Sequence, residues 1–161
     1  MNQFVDKIYA VLEEVKDPEI PVLSVVDMGI ITQVFSENNQ HATVHMTPTF
    51  VGCPAIGVMK HDIEKAVLNA GFETVEVIVD FKTRWTSDRM SDNAKQKLEK
   101  FGIAPPTKID GNISEEALNK VRCPHCGSVN TTLNSPFGST LCRAIRYCFD
   151  CKQGFEQFKP I

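Results

Sequence analysis

Two Cys-x-x-Cys pairs near the C-terminus constrain the fold of this chain more than any other feature of its sequence. Cys123 and Cys126 form the first pair, and Cys148 and Cys151 form the second. Each pair can offer two thiolates to one tetrahedral metal ion, and this spacing is typical of a zinc ribbon. The segment is too small to hold a core alone, so we expect metal binding to supply most of its folding free energy.

We predict structural zinc at these four cysteines, with a rubredoxin-like iron site or a redox dithiol as the alternative, because four thiolates accept iron as well. Gly127 and Gly154 follow the two pairs and would supply the permissive backbone that tight turns need. His125 is interpreted as a spacer, since four thiolates already complete the metal's shell. Cys142 is equally well explained by buried packing and by an alternative ligand role, so it is left outside the predicted set.

The rest of the chain has the composition of a globular protein. Of its 161 residues, 42% are hydrophobic and 23% are charged, which leaves room for one smaller domain beside the metal module. Acidic residues interrupt the apolar N-terminus, so it does not resemble a signal peptide, and no stretch reaches membrane-spanning length. We therefore predict a cytoplasmic protein without a membrane role, in which reduced thiols favour metal binding over disulfides.

Charge is distributed unevenly along the chain. Residues 121–161 hold 5 of the 17 basic side chains and 2 of the 20 acidic ones, so a mildly basic ribbon follows an acidic body. This asymmetry suits docking to an acidic protein surface and is too weak to indicate nucleic-acid binding.

Hydrophobic periodicity predicts an α+β body in the order helix, strand, strand, helix, strand, helix, followed by the ribbon. An amphipathic first helix must end before Asp17-Pro18. The other predicted elements are a hairpin of Ile30–Phe35 and Ala42–Met46, a helix from Pro54 to Gly71, a strand from Val75 to Phe81 and a helix entered through Ser91-Asp92. We predict domains at 1–103 and 119–161, joined by a linker at 104–118 that contains the helix breakers Pro105, Pro106 and Gly111.

Cys53 lies between Gly52 and Pro54, where the second helix is predicted to begin. The backbone amides and positive dipole end of a helix lower the pKa of a thiol, so a reactive thiolate is one interpretation. A small buried hydrophobe is the other. Nearby polar residues in the sequence are Asp17, Glu19, Asp27, Thr47, Thr49 and His61. His61 would lie about 12 Å along the helix axis, too far for a direct Cys-His pair.

Several motifs resemble a known family. The segments are Asp17-Pro18-Glu19-Ile20-Pro21, Asp27-Met28-Gly29-Ile30, Thr47-Pro48-Thr49 and Gly52-Cys53-Pro54, with Trp85 and Met90-Ser91 further on. They resemble the SufT-like domain used in iron-sulfur cluster maturation. Joined to a ribbon that contains Phe137-Gly138-Ser139-Thr140, the arrangement resembles the PaaD family, accessory proteins of bacterial phenylacetate degradation that are also called phenylacetyl-CoA oxygenase subunit PaaJ.

The resemblance implies an accessory role without turnover of its own. The chain would help to supply or repair the metal centres of the monooxygenase that epoxidises phenylacetyl-CoA, either the iron-sulfur cluster of its reductase or its di-iron site. Cys53 would be the family's reactive cysteine, holding iron or an iron-sulfur cluster transiently, with Asp17, Glu19, Asp27 and Thr49 as candidate helpers. One thiol cannot hold a cluster alone, so further ligands would come from a second copy of the chain, a partner or a small thiol, and the first of these would make a homodimer.

Two other function classes remain open from the sequence. A nucleic-acid-binding zinc ribbon would show salt-sensitive affinity for DNA or RNA, which the acidic body opposes. A thiol enzyme using Cys53 would need a general base that the spacing does not supply. Because no phosphate-cradling glycine-rich loop occurs, we expect weak binding of phenylacetyl-CoA and no turnover by this chain alone.

Overall fold

The computed structural model describes residues 2–108 and 119–161. Contacts divide the chain into two compact units, Met1–Trp85 and Thr86–Ile161. Within the described ranges, no helix has both the length and the apolar character needed to cross a bilayer.

The first unit is a three-stranded sheet with two helices packed on it. Helix α1 spans Gln3–Leu12 and is capped by the Asn2 side chain, which accepts a hydrogen bond from the Phe4 N–H at 3.0 Å. Strands β1 (Ile31–Phe35) and β2 (His41–Met46) form the predicted hairpin. Helix α2 (Ile56–Asn69) then leads to β3 (Thr74–Val79). The periodic apolar residues of both helices are buried, which is why the helices pack against the sheet and each other.

Strand β2 occupies the centre of this sheet. It pairs antiparallel with β1 and parallel with β3, so the sheet order is β1-β2-β3. Ala42, Val44 and Met46 alternate along β2 and are fully buried. The parallel pairing requires a crossover connection, which α2 supplies. The Thr47–Ala55 segment that carries Cys53 therefore leaves the carboxyl end of the central strand.

The long segment between α1 and β1 is also ordered by specific contacts. Lys16 and Ser24 form an isolated antiparallel bridge, and the Asp17 N–H donates to the Leu23 carbonyl at 2.9 Å. The Trp85 indole N–H donates to the Met28 carbonyl at 2.9 Å, and the ring is only 2% exposed. Trp85 thus closes the core of the first unit over this segment.

The second unit joins the third helix to the ribbon. Helix α3 (Asp92–Phe101) is capped by Ser91 and ends at Gly102 in the left-handed conformation with φ 92°. Strand β4 (Ile103–Ala104) follows directly. The ribbon contributes β5 (Thr131–Ser135), β6 (Arg143–Cys148) and β7 (Gly154–Phe158). These strands form one sheet in the order β4-β7-β6-β5, with β4 parallel to β7.

The predicted fold class and the predicted order of body elements are confirmed. The second helix begins at Ile56, after an Ala55 N-cap, so Pro54 precedes it rather than lying in its first turn. By contacts, helix α3 and β4 belong to the second compact unit, because β4 pairs with β7. The sequence interpretation placed α3 and Ile103 in the first domain and Ala104 in the linker, and that division of the chain stays a prediction. Of the predicted linker at 104–118, residues 109–118 lie outside the described residues.

Candidate functional site

Four thiols of the second unit converge on one point. Each of Cys123, Cys126, Cys148 and Cys151 offers one sulfur, and the four sulfurs lie within 4.8 Å of one another. The Cys123–Cys151 and Cys126–Cys148 sulfurs are 3.7 and 3.6 Å apart. A zinc–sulfur bond of about 2.3 Å gives a tetrahedron whose edges are about 3.8 Å, so the spacing of the sulfurs suits such an ion. The cluster is able to bind a metal.

Each Cys-x-x-Cys pair is folded into a tight turn with a left-handed residue near its end. In the first turn, the Gly127 N–H donates to the Cys123 carbonyl at 2.9 Å, and Gly127 has φ 77°. In the second, Lys152 has φ 61°. The prediction that Gly154 supplies the permissive backbone of the second turn is wrong, because Gly154 is already the first residue of β7.

Asp150 connects the two turns through its side chain. It accepts hydrogen bonds from the Ser128 hydroxyl at 2.5 Å and from the Asn130 side-chain amide at 2.8 Å. The bond from Ser128, followed by that from Asn130, lowers the pKa of the Asp150 carboxyl. The second Cys-x-x-Cys turn is thereby tied to the chain just after the first without help from a metal. Sequence reasoning did not single out Asp150, although an aspartate inside such a pair is the signal for a local side-chain cap.

The four thiols of the cluster differ in acidity. The backbone N–H groups of Cys151 and Asp150 point to the Cys148 sulfur and lower its pKa to about 7. Burial, together with the neighbouring thiols, raises the pKa of Cys151 to about 12. Four sulfurs this close cannot all carry negative charge alone, so a cation is needed to hold four thiolates.

The cluster cysteines are also part of the hydrophobic core of the second unit. Cys123 and Cys148 are fully buried and pack with Ala104, Val121 and Phe155, while Cys151 packs against this group. Ala104 belongs to β4 and Phe155 to β7. Metal binding and sheet formation in this unit are therefore physically coupled.

The structure places the other two polar candidates of this segment outside the cluster. His125 is exposed and does not belong to the group of four sulfurs. Cys142 is 5% exposed, and its sulfur lies 3.0 Å from the Thr140 hydroxyl.

Cys53 lies in the first unit, in the turn that precedes α2. It is half-buried, and Gly52 before it has φ 86°, a conformation that favours glycine. The Cys53 carbonyl accepts from the Ile56 N–H at 3.3 Å. The Ala55 N–H and the Thr49 side chain form hydrogen bonds to the sulfur and favour the thiolate.

The pKa of Cys53 is nevertheless raised above its ordinary value. Burial is the largest cause, and the negative charges of Glu19 and Asp17 add to it, outweighing the bonds from Ala55 and Thr49. The prediction of a thiol with a lowered pKa is therefore wrong. The helix begins three residues later than Cys53, and the sulfur is buried near enough to the Glu19 and Asp17 carboxylates to be affected by their charge.

The candidate helper residues separate into two groups. Asp17, Glu19 and Thr49 act on Cys53. The Asp17 carboxylate is itself fixed, since its Oδ1 accepts from the N–H groups of Glu19 and Ile20, both at 2.8 Å. Asp27 instead accepts from the Ser24 N–H at 3.1 Å. Thr47 donates to the Thr83 carbonyl at 2.5 Å, and His61 is exposed on α2.

Comparison with known proteins finds a family match in each part of the chain. Residues 5–79 match the family described as iron-sulfur cluster assembly protein, and residues 109–159 match the PaaD zinc beta ribbon domain. A solved structure titled as a domain of unknown function, DUF59, from Bacillus anthracis is 36% identical, with a TM-score of 0.55; the match covers 60% of this chain and 92% of that one.

Curated relatives extend the match. A protein of Porphyromonas gingivalis (strain ATCC BAA-308 / W83) named "Fe-S protein maturation auxiliary factor" is 35% identical over 60% of this chain and 95% of its own length. A protein of Escherichia coli (strain K12), named as a putative subunit of 1,2-phenylacetyl-CoA epoxidase, is 39% identical over 98% of this chain and 93% of its own length. Because that match spans both units, the resemblance inferred from the motifs is confirmed, and the chain belongs to the PaaD family of phenylacetyl-CoA epoxidase subunits.

Proposed function

We propose that this chain is an accessory protein that helps to mature an iron-sulfur or di-iron centre of the phenylacetyl-CoA monooxygenase and performs no turnover itself. The names of its relatives support this proposal, since one is called an epoxidase subunit and another an iron-sulfur maturation factor. In this proposal the protein acts in the cytoplasm, and its partners are the oxygenase subunits and their iron-sulfur reductase. It does not act on nucleic acid or membranes.

The observation that carries the proposal is the set of groups around Cys53. A soft sulfur and the hard oxygens of Asp17, Glu19 and Thr49 act on one another in one half-buried corner. Thiolates and carboxylates both bind iron, but with different strengths. A site of this mixed and incomplete kind suits a cargo that must be released, whereas a closed set of four thiolates suits an ion that stays.

The raised pKa of Cys53 fits transient binding. At neutral pH the sulfur carries a proton, since burial and two carboxylates oppose the thiolate. An arriving iron cation would reverse the effect of these carboxylates, bind the sulfur and release the proton to solvent. Reprotonation would favour release. The remaining ligands would come from a second copy of the chain, from the client or from a small thiol.

The four-cysteine cluster has a structural role in this proposal. Cys123, Cys126, Cys148 and Cys151 would hold one zinc ion permanently, with no open position for a substrate. The burial of two of these cysteines in the core of the ribbon supports this assignment. A nucleic-acid role gains no support from the site, and a thiol-enzyme role gains none either, because a histidine is not among the described groups that act most strongly on Cys53.

Metal analysis of the client tests the proposal. The oxygenase and its reductase would be purified from cells that carry the wild-type chain, Cys53→Ser or Cys142→Ser, the last exchanging the same atoms at a cysteine outside both sites. We expect Cys53→Ser to leave the client proteins assembled but deficient in iron, and growth on phenylacetate to be impaired. Fully metallated client from the Cys53→Ser strain would contradict the proposal. Comparing iron and sulfide in the two clients identifies the centre served.

A further inference from the structure

The second unit contains an open cavity of about 370 Å³ on one face of its sheet. Its floor comes from neighbouring strands: Leu133 of β5 lies opposite Arg146 of β6, and Ala144 of β6 lies opposite Gln157 of β7. Pro136 and Lys159 contribute to its wall. This volume is within the range of about 300–1,000 Å³ that is typical of small-molecule sites. The described lining residues include none of the six cysteines, so the cavity is separate from both sites discussed above.

A buried amide at the floor of this cavity has an unused hydrogen-bond donor. Gln157 is 2% exposed, and its Oε1 accepts from Arg146 Nε at 2.6 Å. Because Arg146 Nε can only donate, the amide oxygen must face it, which fixes the direction of the amide nitrogen. Within the described part of the chain, Gln157 Nε2 has no hydrogen-bond partner. Burying such a donor opposes folding unless a ligand pairs with it.

The charges and apolar surface of the cavity select the kind of ligand. Arg146 and Lys159 are both cationic, and the lining described by the structure contains no carboxylate. Arg146 is 2% exposed, and its burial lowers the pKa of the guanidinium, a sign that its charge is poorly solvated. Leu133, Pro136 and Ala144 present apolar atoms beside these groups. An anionic acceptor attached to an apolar group would match both halves of the surface.

We propose that this cavity binds a small carboxylic acid with an apolar substituent. Its carboxylate would accept a hydrogen bond from Gln157 Nε2 near the cations Arg146 and Lys159, and its substituent would lie on Leu133, Pro136 and Ala144. The ribbon would then be a ligand-binding module as well as a metal module. This inference does not rest on the maturation role proposed for Cys53.

Calorimetric titration of the zinc-replete full chain tests the site with three matched probes. Phenylacetate carries both features, phenylacetamide removes the charge, and acetate removes the apolar group. We expect phenylacetate to bind, and the other two to bind at least about tenfold more weakly, since each loses one of the two complementary contacts. Three equally weak isotherms, or equal affinity for phenylacetate and phenylacetamide, would overturn the proposal.

Substitutions locate the binding in this cavity. Gln157→Glu keeps an oxygen for Arg146 but replaces the donor with a second acceptor, so phenylacetate affinity should fall at least about tenfold. Leu133 is 47% exposed, so Leu133→Ser should leave the fold intact. This substitution should weaken the binding of phenylacetate but not that of acetate. Lys159→Gln should weaken phenylacetate, whereas Lys100→Gln, the same charge change on the exposed end of α3, should not. Zinc content and thermal unfolding check that each variant is folded. Unchanged affinity in the folded Gln157→Glu or Leu133→Ser protein would contradict the assignment.

A free acid and the C-terminus of a partner chain present the same chemistry. Titration with a tripeptide that ends in phenylalanine, as the free acid and as the amide, distinguishes these sources. If the tripeptide acid binds more tightly than phenylacetate and amidation abolishes its binding, the carboxylate site is supported and its ligand is the C-terminus of a chain. If phenylacetate binds more tightly than the tripeptide acid, the carboxylate site is supported and its ligand is a free acid. Equal binding of the tripeptide acid and its amide would count against a carboxylate site.

Discussion

The two units of this chain are stabilised in different ways. Met1–Trp85 has a core of aliphatic side chains from two helices and a sheet, including fully buried Ile8, Leu12, Val44 and Ile63. In Thr86–Ile161 the core group around the ribbon includes Cys123 and Cys148 among its buried residues. The first unit can therefore fold by hydrophobic burial, whereas we expect the second to need its metal.

The same contrast separates the two cysteine sites. Around Cys53 one sulfur lies among oxygens, is half-buried and has a raised pKa. In the ribbon four sulfurs lie within 4.8 Å, and backbone N–H groups lower the pKa of one of them to about 7. In the proposed function, the number of sulfurs and the charges beside them would decide whether a cysteine site holds a metal briefly or permanently.

The largest expected effect comes from removing one cluster cysteine. Cys123→Ser breaks the metal shell and removes a buried core atom, so zinc should be lost from its expected one ion per chain and the second unit should unfold. Because β4 pairs with β7, protection from hydrogen exchange should disappear at Ile103–Ala104 as well as in the ribbon. Protection of α1, β2 and α2 should persist. If β4 stays protected from hydrogen exchange in the zinc-free variant, the claim that metal binding and sheet formation are coupled is wrong.

A smaller effect is expected from adding one methyl group in each unit. A Cβ at Gly138 would lie 3.0 Å from both Arg143 Cβ and Glu156 Oε1, so Gly138→Ala should destabilise the second unit by about 1–3 kcal/mol. A Cβ at Gly57, inside α2, meets no atom within 4 Å, so Gly57→Ala should stabilise the first unit by about 0.5–1 kcal/mol. Denaturant unfolding monitored separately in each unit measures both. We predict that the free energy of unfolding falls in the Gly138→Ala second unit and rises in the Gly57→Ala first unit. A change of the same sign in both units would refute this prediction.

Asp150→Asn should loosen the ribbon without removing a cluster cysteine. In the asparagine, an amide nitrogen replaces the oxygen that accepts from the Ser128 hydroxyl, and this nitrogen cannot accept a hydrogen bond. The two turns are then held together less firmly, so the variant should lose zinc to a chelator faster than the wild type does. The pKa of Asp150 is lowered in the folded chain, so its contribution is present above the ordinary carboxyl pKa and is lost as the pH falls through the folded value. The difference between wild type and variant should therefore shrink in acid. If the difference in zinc release between wild type and variant stays constant with pH, the Asp150 carboxylate is not the group that holds the two turns together.

A modest effect is expected on the labelling of Cys53. Its raised pKa leaves little thiolate at neutral pH, so iodoacetamide should modify it more slowly than an ordinary exposed thiol, and the rate should increase as the pH rises. This reverses the fast reaction that the sequence suggested. Glu19→Gln removes one opposing charge and should lower the pKa and speed labelling, whereas Glu37→Gln, in the exposed turn at 37–40, should not. Peptide mapping by mass spectrometry reads Cys53 separately from the ribbon thiols.

Strong local patterns account for what the sequence could predict. The apolar repeats of α1 and α2 and the alternation in β2 have a single period each, and the two cysteines within each Cys-x-x-Cys pair are close in sequence. Strand β4 was missed because its two residues, Ile103–Ala104, are too short to show alternation, and their pairing with β7 is non-local.

The Cys53 site was harder to predict for the same physical reason. Its candidate neighbours could be named from the motifs, but the sign of the pKa shift depends on how deeply the fold buries the sulfur and on where Glu19 and Asp17 lie in space. A local argument placed the thiol on a helix dipole. Tertiary charges and burial prevail because a turn separates Cys53 from the first residue of α2, Ile56.

The central claim, that the two cysteine sites divide permanent from transient metal binding, is tested most directly by metal exchange. The zinc-loaded chain would be incubated anaerobically with one equivalent of ferrous iron and then with a chelator of moderate affinity, and both metals would be measured over time. We predict that zinc stays at one per chain while iron binds and leaves quickly, and that Cys53→Ser abolishes iron binding and leaves zinc unchanged. Iron that displaces zinc from the ribbon, or that binds equally well to the Cys53→Ser chain, would contradict the account.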